Sequence, residues 1–194
     1  LYGGFISQAG SRWRVVTTRP GHEPINNLAN SIVESVSADR EVKDEKELFV
    51  DKTIASTVLR SSSRGLVESI KQLNMQNENV LILVDQFEEL FRFKKSEEGS
   101  VNESLAFVNL LTEAARQSEV PIYVAITMRS DFIGECAKYM ELTQMINDSH
   151  YLIPQMVRDQ KRMAIEGPVA VGGGEIAPRL TQQLLNDVGD NPDQ

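Results

Sequence analysis

Five consecutive apolar residues, Val80 to Val84, run directly into the acidic stretch Asp85-Gln86-Phe87-Glu88-Glu89. A strand that is apolar on both faces belongs inside a parallel sheet covered by helices. This segment therefore directs the chain toward an α/β layer architecture. The flanking patterns agree. Residues 13–18 (Trp-Arg-Val-Val-Thr-Thr) are aromatic and β-branched and end at Arg19-Pro20-Gly21, which reads as a strand and a turn. Residues 120–127 read as a further buried strand, and a short one is expected near 150–153. Between them lie helical patterns. One starts at Asn26 or Asn27 and runs to about Val36, with Leu28, Ile32, Val33 and Val36 on one face. Two more cover 46–60 and 64–74, the latter with Leu66, Ile70 and Leu73 at helical spacing. A fourth covers 102–117 with Leu105, Val108, Leu111 and Ala115 recurring. Further helices are expected over 132–141, capped by Ser130 or Asp131, and over 156–166 and 175–187. Strands alternating with helices predict a mostly parallel sheet.

The chain has 194 residues, enough for one domain or for a domain and part of a second. Its 41% hydrophobic and 25% charged residues place it among globular chains. The net charge of −8 argues against a nucleic-acid coat or a membrane-surface module, since both need clustered Lys and Arg. Cys136 stands alone, which excludes an internal disulfide and a thiolate zinc site and suits a reducing cytosol. Val80–Val84 and Val120–Ile126 are the longest apolar runs, far short of the roughly 18–20 residues that span a bilayer. No basic n-region with an apolar stretch opens the chain at Leu1. The expectation is a cytoplasmic protein with no nucleic-acid or membrane partner. Leu1–Ile6 reads as a helix tail entering a loop and Val188–Gln194 as a turn, so both ends are expected to be fragment boundaries.

Ligands bind at the carboxyl edge of a parallel sheet. Asp85 sits at such an edge, where a carboxylate can hold Mg²⁺, usually through water, and a neighbouring Glu88 or Glu89 can orient or deprotonate an attacking water. This is the logic of a Walker B segment. The alternative is structural: Asp at a strand end also caps the following helix, and acids in a first helical turn suit the helix dipole. Val124-Ala125-Ile126-Thr127-Met128-Arg129-Ser130-Asp131 ends the next strand in a polar cluster. Arg129 there either contacts a γ-phosphate or pairs with Asp131 or a neighbouring carboxylate. With Asp85 on the adjacent strand, the phosphate contact is the favoured reading. His22 and His150 are isolated, Cys136 reads as a packing residue, and Gly172-Gly173-Gly174 reads as a link between helices. No Gly-x4-Gly-Lys-[Ser/Thr] phosphate loop occurs in these residues.

Val80 to Phe91 (VLILVDQFEELF), with Leu59 to Leu66 before it and Ile126 to Phe132 after it, resembles the novel STAND-type P-loop NTPases, AAA-like signal-transduction ATPases of the ASCE type. Trp13 to Gly21 is similar to the second strand of that family, and Gly189 to Gln194 to the lead-in to its Leu-Pro motif. The resemblance implies a three-layer α/β sandwich with a mostly parallel sheet. Residues 1–149 would be a partial nucleotide-binding core, and 150–194 the last strand and the start of a helical lid subdomain. It implies ATP and Mg²⁺ as ligands, Asp85 as the metal carboxylate, and Glu88, with Glu89 second, as the water-orienting acid. Arg129 would be a sensor, and Thr127 would lie with it at the nucleotide. Gln86 stands where many AAA-type ATPases carry a catalytic Glu, which implies a slow ATPase acting as a switch. Partners implied are further copies of the domain and attached WD40-type repeat or effector domains. The Walker A loop is expected upstream of Leu1. Without it the chain is expected to bind ATP weakly, to be inactive, and to leave a central gap in the sheet that promotes self-association. The reading from another class is a non-catalytic interaction scaffold that keeps the fold.

Overall fold

The computed structural model describes residues 12–37, 44–75, 78–92 and 98–187, with the side chains of 98–102 excepted. The features expected at 1–6 and 188–194, and most of the polar stretch 38–47, lie outside the described residues. The chain divides into two compact units, residues 1–150 and 151–194.

Among the described residues, the first unit is built on three parallel strands, β1 (Trp13–Thr18), β2 (Asn79–Val84) and β3 (Ile122–Ile126). They are hydrogen-bonded side by side in that order. Their register aligns Val16 with Ile82 and Ile82 with Val124, and at the carboxyl end Thr18 with Val84 and Val84 with Ile126. The even-numbered face is the core face: Val16, Val80, Ile82, Val84 and Ile122 are buried. Arg14 falls on the same face. It is accommodated by an ion pair to Glu78 at 2.6 Å and a hydrogen bond donated to the Ser35 carbonyl. The odd-numbered face, with Trp13, Val15, Leu81, Leu83 and Ala125, is only half-buried, and Tyr123 is 49% exposed. The apolar run of β2 is thus fully covered on one face only. Trp13 and Tyr123 meet on the other with ring centroids 5.1 Å apart.

Helix α1 (Pro24–Ser37) begins with a proline, which suits the first helical position because its missing N–H has no partner there. Its buried stripe, Leu28, Ile32, Val33 and Val36, is the expected one. Helix α2 (Glu45–Ser61) has acids in its first turn and Arg60 in its last, matching the helix dipole. It meets α3 (Gly65–Gln72) so closely that a Cβ on Gly65 would lie 2.5 Å from the Val58 carbonyl oxygen. After a short α4 (Glu89–Arg92), helix α5 (Glu98–Arg116) buries Phe107, Val108, Leu110, Leu111 and Ala114. The stripe differs from the expected one, because Leu105 and Ala115 face outward. Phe107 and Leu110, fully buried beside the strands, set the orientation instead.

Three expectations for the chain after β3 are corrected. Residues 132–141 do not form one α-helix. Ser130–Lys138 is a 3-10 segment, and α6 (Met140–Ser149) follows with Leu142 buried. Neither Ser130 nor Asp131 caps a helix there, because the Asp131 carboxylate is held by Arg129. No strand forms at 150–153; a strand needs a ladder partner, none of the described strands pairs with this segment, and Pro154 removes a donor at its end.

In the second unit, α7 (Arg158–Val171) and α8 (Pro178–Asp187) pack together, and Arg158 donates to Asn186 at 3.0 Å. Helix α7 runs through Gly167-Pro168, beyond the expected helix end at 166. Pro168 forfeits one helix hydrogen bond. At the helix end the Pro168, Val169 and Ala170 carbonyls accept from the N–H groups of Gly172, Gly174 and Gly173. No helix among the described residues is long and apolar enough to cross a membrane.

Candidate functional site

The carboxyl ends of the three strands bring Arg19, Asp85 and Thr127 to one edge, each one residue beyond its strand. The backbone continues the ladder there: Asp85 N–H donates to Thr18 and Thr127 N–H to Val84, both at 2.9 Å. The Asp85 side chain is one-third exposed. Its Oδ1 accepts a hydrogen bond from the Thr127 hydroxyl at 2.7 Å. Its Oδ2 takes Arg19 Nη2 at 2.8 Å and Nε at 3.0 Å. The Thr127 hydrogen bond, followed by Arg19, holds the Asp85 carboxyl below the usual carboxylate range against the opposing effect of burial. The end of β2 therefore presents a fixed negative charge.

Beyond Asp85 the chain turns sharply. Gln86 has a left-handed backbone (φ 55°), uncommon for a residue with a side chain. Its N–H donates to the Thr127 hydroxyl at 3.2 Å and the Phe87 N–H to the Thr127 carbonyl at 3.0 Å. Phe87 is thereby driven into the core, where its ring meets Phe91 edge-on. Backbone strain of this kind persists where the surroundings impose it, and it collects at functional sites.

The two glutamates that follow are not equivalent. Glu88 is 6% exposed, and its Oε2 is buried without a hydrogen-bond partner. Glu89 Oε2 accepts the Gly21 N–H at 3.0 Å and braces the turn after β1. Arg129 forms a two-point pair with Asp131, at 3.1 and 2.8 Å, and lies over the Phe132 ring. Asp131 is the main cause that raises the Arg129 pKa, and Glu88 adds to it through its charge.

A family model described as Novel STAND NTPase 1 matches residues 3–194. The chain belongs to this family. Searches of curated proteins and of solved structures give no significant match.

For a STAND NTPase domain the arrangement has a clear division. Asp85 and Thr127 are joined directly, and Glu88, three residues further on, has a buried oxygen without a hydrogen-bond partner. Glu89 and Arg129 are engaged elsewhere. A polar cavity of about 500 Å³ opens on the β1 side of Asp85, lined by Thr17, Thr18, Arg19, Asn27, Asn30 and Ser31. Of the residues singled out from sequence, only Asp85 reaches it. Thr18 Oγ1, on its wall, is buried without a partner.

The site chemistry suits a magnesium-bound nucleotide in one respect. Among the described residues no group of three or more His, Cys, Asp or Glu could enclose a metal by itself. Mg²⁺ in nucleotide sites uses one or two carboxylates and completes its shell with phosphate oxygens and water. Asp85, ionised, accessible and already attracting a cation, fits that donor set.

Sequence reasoning passed over Arg19, Gly21 and Asn27. Arg19-Pro20-Gly21 was legible as a turn, but a turn directly after a strand at the carboxyl edge also places its side chains at the site.

Proposed function

We propose that this domain binds ATP with Mg²⁺ in the intact protein and uses the bound nucleotide as a regulatory switch with slow turnover. The observation that supports this most is the Thr127–Asp85 hydrogen bond at the carboxyl edge of the central strand; three residues on in the chain, Glu88 keeps a buried oxygen without a partner. Asp85 would hold the metal. The metal it holds would supply positive charge to offset that of the nucleotide phosphates. Thr127 orients the Asp85 carboxylate and, by donating to it, lowers its pKa. Glu88, with an acceptor oxygen to spare, is the acid that positions or deprotonates the attacking water. Glu89, tied to Gly21, is the second choice for that role. Arg129 would read a γ-phosphate only by giving up Asp131.

We propose further that the sheet is covered on both faces as a three-layer sandwich; the half-buried apolar face of Trp13, Val15, Leu81 and Leu83 supports this. Residues 1–149 would then be the core, and 150–194 the start of a lid. Self-association, attached repeat or effector domains and a cytoplasmic setting belong to the same proposal. The pairing of Arg129 with Asp131 favours a second reading, a non-catalytic scaffold in which Arg129 is structural.

Nucleotide dissociation constants of the full-length protein separate the two. Asp85→Asn should weaken Mg²⁺-dependent ATP binding. Glu88→Gln should leave binding intact and reduce turnover by roughly 10²-fold or more. Arg129→Ala should lower the preference for ATP over ADP by about 1.5–3 kcal/mol. Constants unaffected by all three substitutions would leave the scaffold.

A further inference from the structure

Resting on the nucleotide-site reading, we propose that Asp131 sets how strongly this domain prefers ATP to ADP, by attenuating the pull of Arg129 on a γ-phosphate. Arg129 Nε donates to one Asp131 oxygen at 3.1 Å and Nη2 to the other at 2.8 Å. Such a fork fixes the guanidinium plane and sets a full negative charge against it. A phosphate that takes over N–H groups of Arg129 gains only the difference between its own bonds and those given up by Asp131. The carboxylate, tethered two residues away, stays near and repels it. Sharing of the guanidinium between the two anions reduces the attraction as well, so the attenuation does not hinge on how far the fork opens. ADP lacks the γ-phosphate and escapes it.

The surroundings leave Asp131 little else to do. No side-chain hydrogen bond caps the 3-10 segment in which it lies. The hydrogen bond from Arg129 is the first cause that holds the Asp131 carboxyl below the usual carboxylate range. Arg92 acts on Asp131 through its charge, and Glu88 acts on Arg129 in the same way. Without the Asp131 charge, the two guanidinium groups have one acid fewer near them.

A separate contact holds Arg129 in place when that charge is removed. Its guanidinium carbon lies 5.8 Å from the centre of the Phe132 ring. The pair is only part-buried, with Arg129 34% and Asp131 55% exposed, so water screens it and the effect is modest.

The test uses the full-length protein with Mg²⁺, and titration calorimetry with a non-hydrolysable ATP analogue and with ADP. Asp131→Asn should raise the preference for the analogue over ADP about two- to fivefold, with ADP affinity nearly unchanged. Asp131→Glu, which keeps the charge, should stay near the natural ratio. Asp131→Asn on an Arg129→Ala background should gain nothing. If Arg129→Ala alone leaves the ratio as it was, the γ-phosphate role of Arg129 falls, and this proposal with it. If Arg129 is required but Asp131→Asn keeps or lowers the ratio, the attenuation falls and the site stands. Should Asp131→Asn not fold, the natural chain decides. With aspartate labelled by carbon-13, the Asp131 carboxyl should titrate at a higher pH with the analogue bound than with ADP bound, because a γ-phosphate adds negative charge nearby. Equal midpoints would overturn the proposal.

Discussion

Thr127→Val probes the centre of the site while keeping the shape of the side chain. The hydroxyl donates to Asp85 Oδ1 at 2.7 Å and accepts from the Gln86 N–H at 3.2 Å. A hydrogen bond to a charged group contributes about 1.5–3 kcal/mol when water is excluded. Asp85 is one-third exposed, so water replaces part of that, leaving about 1–1.5 kcal/mol. Gln86 is exposed, and its N–H can turn to water. The expected loss at neutral pH is therefore about 1–2 kcal/mol, a fall of roughly 0.5 M in the urea midpoint. The sign with pH follows from Asp85. Its carboxyl is held below the ordinary value, first by Thr127 and then by Arg19. That stabilisation is present in full above the unfolded value of about 3.9 and is lost as pH falls through the folded value. The gap between the natural protein and the variant should be widest near pH 7 and should narrow below about pH 4. A double-mutant cycle with Asp85→Asn should show a coupling of about 1 kcal/mol. An equal deficit at both pH values, with no coupling, would mean that Thr127 acts through strand packing and would remove its role as the group that stabilises the ionised Asp85 carboxylate.

Three further outcomes are expected. Gly65→Ala forces a methyl against the Val58 and Leu59 carbonyl oxygens at 2.5 and 2.7 Å, which are backbone and cannot rotate away; thermal unfolding should show a loss of about 3 kcal/mol. Glu88→Met removes a buried oxygen that has no partner, so chemical denaturation should show a gain of about 1–2 kcal/mol, paired with loss of ATP turnover in the full-length protein. Burial pushes the Cys136 thiol up to about 11, so iodoacetamide at pH 8 should label it far more slowly in the folded chain than in urea; equal rates would show the 3-10 segment to be open.

The legible parts of the fold were those dominated by short-range pattern. All three strands of the sheet appear within two residues of their expected bounds, because β-branched runs bounded by turns have few alternatives. Helix α1 buries its expected stripe for the same reason. The helical stripe of α5 was misread because Leu105 and Phe107 are both apolar. Periodicity alone could not say that the larger ring would take the core position. Asp131 was expected to cap a helix, but Arg129, two residues away, competes for its carboxylate and wins. Helix α6 was missed, although Leu142 and Ile146 carry a weak four-residue signal for it.

The sequence by itself determined that a buried strand ends in Asp85 and that the next ends in Thr127. Local patterning dictates strand limits, and strand limits dictate which residues lie at an edge. Only the tertiary structure decided what those residues do to one another. Thr127 bonds Asp85 because β2 and β3 are neighbours in register, a fact of sheet order that residues 42 apart do not encode locally. Arg19 reaches the same carboxylate from the other side because β1 is the second neighbour. Glu88 and Glu89 are alike in sequence and different in place. The left-handed turn at Gln86 buries one without a partner and leaves the other to accept from Gly21. Long-range pairing assigns each polar atom its partner, and the partners decide which of two identical side chains keeps an oxygen to spare.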